Sequence, residues 1–168
     1  SFKKINTNQK KKKLDFNRIY DAIKSSKRPV FVIGNGVHLS KSKKEFISIS
    51  SYFNIPVLSS WSASDVLETS HKKYIGRFGI FGDRASNFTV QNSDLIIVLG
   101  CRLSQPQTGY NLKLFSPKSK MIYVDVDNFE IQKFKNKIKI PVNVDLKEFL
   151  ILFKKFISKK KNFTDQDH

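Results

Sequence analysis

Residues 94–100 read Asp-Leu-Ile-Ile-Val-Leu-Gly, an apolar run opened by an acid and closed by a glycine. A strand with one wet face alternates apolar and polar residues, so an unbroken short run is the mark of a strand buried on both faces. Residues 30–33, Val-Phe-Val-Ile, repeat the pattern and close on Gly34-Asn35-Gly36, a tight turn leaving a buried strand. Residues 56–58 and 121–126 read as further strands, the second running out into Asp125 and Asp127, and residues 138–142 as a short edge strand. Between them the apolar spacing becomes helical. Asp15 is placed to cap a helix carrying Phe16, Ile19, Tyr20 and Ile23 on one face. Ser40 is expected to cap a second, with Phe46, Ile49 and Phe53 turned inward. Asp83 opens a third that reaches about Gln91. The last starts near Leu146, carries Phe149, Leu150, Phe153, Phe156 and Ile157, and gives way to lysines. Residues 59–82, with Gly76, Gly79 and Gly82, read as loop.

Strands apolar on both sides and alternating with helices predict an α/β domain, a doubly wound parallel sheet of about six strands of Rossmann-like type. Ligands of such sheets lie beyond the carboxyl ends of the strands. Those ends are residues 34–36, 59–60, 100–102 and 125–127, where glycines and polar residues collect. This is the composition of a nucleotide-type crevice.

Composition narrows the class. The chain has 168 residues, 39% of them hydrophobic with 15 Phe, enough for one ordinary domain with a real core. A single cysteine, Cys101, excludes an intrachain disulfide and a Cys-rich zinc site. No run approaches the roughly 20 apolar residues that span a bilayer, and the start has no apolar leader segment. A cytoplasmic setting is expected. The first residue is Ser1 rather than Met, which suggests a piece of a longer chain. The net charge of +17 raises nucleic acid as a partner. Residues 1–27 hold 9 basic and 2 acidic side chains and residues 151–168 hold 5 and 2, so more than half of the excess lies at the ends. Lysine outnumbers arginine 26 to 5, whereas arginine is the usual base reader. A basic nucleic-acid-binding domain is therefore the minor alternative.

A dinucleotide fingerprint needs G-x-G-x-x-G after the first strand and an acid after the second. Here Leu39 stands at the third glycine and Ser59-Ser60 end the second strand. A Walker A loop is absent too, and the zinc site of a sirtuin-like deacylase wants four cysteines. Five segments in order instead carry a resemblance: R-P-V-F-V-I-G-N-G-V (28–37), I-P-V-L-S-S (55–60), Y-I-G-R-F-G-I-F-G (74–82), N-S-D-L-I-I-V-L-G-C-R-L (92–103) and K-M-I-Y-V-D-V-D (120–127). With the late P-V-x-x-D-x-K (141–147), they resemble the central domain of thiamine-diphosphate-dependent enzymes of the acetolactate synthase type.

The resemblance covers residues 15–157 and makes 1–14 and 158–168 expected linkers. It implies a parent lyase or transferase, a carboligase or decarboxylase. Thiamine diphosphate and Mg²⁺ would lie between pyrimidine-binding and diphosphate-binding domains of the same chain, in a homo-oligomer. The family's catalytic Glu belongs to the first of those domains and its G-D-G…N metal motif to the last. Gly82-Asp83 is followed here by Arg84, so this domain alone is expected to be inert.

Central domains of the family hold FAD, an ADP moiety or nothing. The contacts implied by motif are Gly34, Gly36, Ser60, Phe78, Gly79, Gly82, Gly100, Arg102, Asp125, Val126 and Asp145, with glycines admitting a diphosphate, Arg102 neutralising it and Asp125 accepting a ribose hydroxyl. Three departures stand out. FAD-binding members read M-H-G where this chain has Ile80-Phe81-Gly82. They read R-F-D-D-R where it has Arg102-Leu103-Ser104-Gln105-Pro106, and G-D where it has Val144-Asp145. Plainer readings stand beside these. The glycines suit tight turns, Arg102 could pair with Asp125 or Asp127, and Cys101 reads as a small buried side chain. His38 and His71 read as isolated loop residues, and Trp61 as a core or interdomain contact. A free-standing FAD- or ADP-binding module is the other alternative.

Overall fold

The computed structural model describes residues 14–164, with side chains through residue 160. Six strands form one sheet: β1 (Pro29–Ile33), β2 (Val57–Ser59), β3 (Tyr74–Arg77), β4 (Leu95–Leu99), β5 (Lys120–Asp125) and β6 (Ile138–Asn143). Every pairing is parallel and the order is β3-β2-β1-β4-β5-β6. The chain therefore winds outward from β1 to β3, crosses over, and winds the other way from β4. That is the doubly wound order, with its switch point between β1 and β4.

The strands divide their side chains by the two-residue period of the pleat. Phe31 and Ile33 of β1, Ile97 and Leu99 of β4, and Ile122 and Val124 of β5 face one layer. Its helices are α1 (Phe16–Ser25), α3 (Lys43–Phe53) and α7 (Leu146–Thr164). Phe16, Phe53, Phe149, Phe153 and Phe156 pack there ring against ring, with centroids about 5.5–6.2 Å apart. Val30 and Val32, Ile96 and Val98, and Met121 and Tyr123 face the opposite layer, with Val90 of α4 (Arg84–Asn92) and Ile131 of α6 (Asn128–Gln132). Two short helical turns, α2 (Gly36–Leu39) and α5 (Gln105–Thr108), leave the ends of β1 and β4.

Asp15 caps α1 as expected, accepting from Arg18 N at 3.0 Å. Ser40 does not cap the second long helix. Ser42 holds the N-cap position of α3, while Ser40 Oγ donates to Gly36 O at 2.6 Å and meets Ser42 Oγ at 2.7 Å. The segment read as loop contains β3, which pairs with β2 across an irregular register at Val57/Leu58. Asp83 sits at the start of α4 but does not cap it. α7 continues past Ile157 to Thr164. Of the expected linkers, residues 1–13 and 165–168 lie outside the described residues, whereas 158–164 are not linker but the end of α7. Among the described residues no helix is long and apolar enough to cross a membrane.

Candidate functional site

The carboxyl ends of the strands open onto a cavity of about 820 Å³. Its floor is a backbone crossing at the switch point. Gly34 N donates to Leu99 O at 3.1 Å, Gly36 N to Gly100 O at 3.0 Å, and Gly100 N to Val124 O at 3.0 Å. A side chain on Gly36 would put its first carbon 2.7 Å from Gly100 Cα, and Gly100 itself lies at φ +55°. These glycines are required because two strands' exits pass through each other's side-chain space.

Of the residues implied by motif, Gly34, Gly36, Ser60, Phe78, Gly79, Gly100, Arg102, Asp125, Val126 and Asp145 line this one cavity. Gly82 does not; it packs against the backbone of Arg77 and Phe78. Phe78 is buried, and Ser60 is tied to β1 by its amide donating to Ile33 O at 2.9 Å. Val126 is exposed, and Asn143 Nδ2 donates to its carbonyl at 2.9 Å. Asp145 Oδ1 accepts from the Lys147 and Glu148 amides and so caps α7.

The acids of the site divide into compensated and uncompensated. Arg102 pairs with neither Asp125 nor Asp127. Its Nε and Nη2 both donate to Glu130 Oε1 at 3.1 Å, while Lys133 Nζ donates to Glu130 Oε2 at 2.6 Å. Glu130 is 4% exposed, and a carboxylate that dry draws cations when they are within reach, as Arg102 is. Asp127 Oδ1 accepts from Phe129 N at 2.8 Å and caps α6. Asp125 has only backbone donors, Asp127 N at 2.9 Å among them, and pairs with no cation among the described residues. Burial raises its pKa, and the nearby Glu130 and Asp127 charges push the same way.

Cys101 is buried with its thiol pushed up to about 11 by desolvation. It is a packing residue, as its sequence position suggests. His38 is not isolated, since Nε2 lies 2.8 Å from Asp65 Oδ1. His71 stays in a loop, its Nδ1 accepting from Lys73 N at 3.3 Å. Trp61 is neither core nor hidden among the described residues. It is 56% exposed, lines the cavity, and lies 5.4 Å from the exposed Phe81 ring. Sequence reasoning also passed over Glu130, Leu39 and Phe81 as site residues. Phe81 was visible as an apolar residue in a strand-exit loop and Leu39 as one just after the Gly34–Gly36 turn, at the end of α2; Glu130 carried no local signal.

A dinucleotide such as FAD, or an ADP moiety, needs free amides and a free cation for its diphosphate. The amides of Gly34, Gly36, Val37 and His38 all donate to backbone carbonyls. Asp127 and Asp145 occupy the first turns of α6 and α7, and Arg102 is engaged by Glu130. A bound diphosphate would therefore have to be held by the outward side of the Arg102 guanidinium, whose side chain is 77% exposed, with little help from the amides of Gly34 and Gly36. Thiamine diphosphate with Mg²⁺ fits no better. Asp83 Oδ2 is held by Arg77 N at 2.8 Å, and the described residues contain no group of three metal-ligating side chains.

Fold and site together define a doubly wound α/β domain with a crevice at the carboxyl ends of its strands. Residues 16–152 match the family described as thiamine pyrophosphate enzyme, central domain, and the chain belongs to that family. Its relatives include the probable acetolactate synthase large subunit of Methanococcus aeolicus, 34% identical over 76% of this chain and 21% of that protein. The acetolactate synthase large subunit of Corynebacterium glutamicum is 32% identical over 76% of this chain and 20% of its own length. The 3D-(3,5/4)-trihydroxycyclohexane-1,2-dione hydrolase of Halalkalibacterium halodurans is 32% identical over 77% and 20%. The chain thus spans about a fifth of the length of these curated relatives.

Proposed function

We propose that this domain serves a thiamine-diphosphate-dependent carboligase or decarboxylase, a lyase or transferase, as the rigid body between a pyrimidine-binding and a diphosphate-binding domain of one chain. The observation that carries this reading is the family match across residues 16–152, combined with coverage of only a fifth of each relative. Thiamine diphosphate, when bound with Mg²⁺, supplies the stabilised carbon centre that permits bond cleavage or formation next to a carbonyl. The contribution of this domain's own residues is mechanical. The two-faced core holds the sheet rigid, and the Gly34–Gly36 turn locked against Gly100 fixes the strand ends. The exposed Trp61, Phe81, Phe129 and Tyr110 give neighbours or a second copy apolar surface to cover. Relatives with both synthase and hydrolase names leave the substrate class at compounds with a reactive carbonyl. The single buried thiol suits a reducing cytoplasm.

The test uses the full product of the gene that encodes this domain. It is expected to turn over a 2-oxo acid or a cyclic dione only with thiamine diphosphate and Mg²⁺ present. The 168-residue chain alone is expected to give no turnover and no heat with thiamine diphosphate. Thiamine-independent turnover by the full product, or thiamine diphosphate binding by the isolated domain, overturns the reading.

A further inference from the structure

Lysines gather at the amino ends of β5 and β6, on the edge of the sheet opposite the crevice. Lys120 opens β5 and Lys137 stands immediately before β6. The two strands meet there, Met121 N donating to Lys137 O at 2.9 Å. Lys118 and Lys135, two residues before each, are exposed. Asp94, at the entry of the neighbouring β4, has its carboxylate taken by the Lys27 and Arg28 amides at 2.7 and 2.9 Å. Among the described residues neither Lys120 nor Lys137 pairs with a carboxylate.

The Lys137 nitrogen is held in place without being compensated. Its Nζ donates to Ser116 O at 3.0 Å, and that carbonyl is shared with Ser119 N, also at 3.0 Å. Ser116 is itself fixed, its amide on Gln91 Oε1 at 2.9 Å and its hydroxyl on Val90 O at 2.7 Å. A carbonyl accepts from a neutral amine as well as from an ammonium, so this bond positions the nitrogen and leaves its lone pair free. Partial burial disfavours the charged form and the Lys120 ammonium pushes the same way, so the pKa of Lys137 is lowered. A lysine amine becomes a nucleophile when it is desolvated or set beside another cation. We propose that Lys137 is an acylation site, its amine attacking a small anionic acyl donor of the acyl phosphate class that the surrounding lysines attract. The Nζ lone pair forms a C–N bond to the donor's carbonyl carbon, the C–O bond to phosphate breaks with its electron pair, and the surplus proton leaves to water. The amide product keeps one N–H for Ser116 O and no longer opposes the Lys120 charge.

The test exposes the 168-residue chain at neutral pH to acetyl phosphate and, separately, to the uncharged N-hydroxysuccinimide acetate. Acetylation is counted lysine by lysine by mass spectrometry at low conversion. The outcome does not depend on the thiamine reading, because no turnover is measured. Lys139, exposed and two residues away, reports ordinary lysine reactivity beside it. Lys137 is expected to outpace Lys139 about threefold or more with both donors. Lys120→Gln should slow Lys137 about threefold with acetyl phosphate, the order of one near-surface charge interaction, and less with the uncharged ester. That variant should unfold as the unmutated chain does, since Lys120 is exposed and its amide still donates to Asp94 O at 3.0 Å. Lys137 acetylated no faster than Lys139, or at an unchanged rate in the Lys120→Gln chain with both donors, overturns the proposal.

Discussion

Gly36 and Gly100 each occupy space that a side chain on the other would need, and the atoms in the way are main chain. Flexible side chains can yield to an added methyl; a crossing of two strand exits cannot. Gly36→Ala is expected to cost about 1–3 kcal/mol, the range of an overpacked core, read as a lower denaturation midpoint. Asp125 tests the opposite sign. Its folded pKa is raised, so the folded chain holds that proton more tightly than the unfolded chain. The associated stability is fully present below the unfolded carboxylate pKa and is lost as pH rises through the folded one. At neutral pH the charged group is therefore a burden, and Asp125→Asn should stabilise the chain on the order of 1 kcal/mol. The gain should vanish in acid, where both forms are neutral. A destabilised Asn variant at neutral pH would show that the carboxylate holds the fold rather than strains it. The sequence placed Asp125 at a strand end, but its want of a cation could not be read there. That depends on Arg102 turning toward Glu130, a contact 28 residues away.

At the scale of elements, the strands most legible in the sequence were those buried on both faces, because an apolar run records burial directly, and the edge strand β6 was legible from its alternate buried residues. β3 escaped for a physical reason. Tyr74–Arg77 is an edge strand with only Gly76 buried, and its register against β2 is broken. It leaves no periodic apolar signal. What pins it instead is a reciprocal pair: Arg77 N donates to Asp83 Oδ2 at 2.8 Å and Asp83 N donates to Arg77 O at 2.7 Å. The sequence identified Asp83 as the opening of α4, which is its position but not its work. Asp15 is an ordinary cap, accepting from an amide of its own helix. Asp83 instead joins the end of β3 to the start of the helix that crosses to β4. Asp83→Ala is expected to cost about 1–2 kcal/mol, as for a lost charge-assisted hydrogen bond. It should also speed hydrogen exchange at the Arg77 amide selectively, whereas Asp15→Ala should leave that amide unchanged. Equal exchange in the two variants would mean that pairing with β2 alone secures the strand.

For the whole molecule, the order of strands and helices was enough to name a doubly wound sheet, because crossover connections between parallel strands leave few arrangements open. The placement of charge was not legible in that order. Four of the 14 acids gather at the crevice, brought there from the exits of β5 and β6 and the start of α6. The rest of the surface is left more cationic than the net charge alone suggests. Like charges crowded on a compact body repel, and the unfolded chain relieves that repulsion by expanding. Added salt shortens the reach of the repulsion to about 10 Å at 0.1 M and less beyond. The chain should therefore unfold at a higher temperature as sodium chloride is raised from low to moderate concentration. Most exposed ion pairs oppose this trend only weakly, since each contributes little. Arg77–Asp83, at 3.9 Å with both side chains about half exposed, is one such pair. A melting temperature that falls with salt would mean that attraction between the acidic crevice and the basic remainder outweighs repulsion within that remainder. The test is sharpened by Glu130→Gln, which removes one crevice charge and should steepen the rise if repulsion governs.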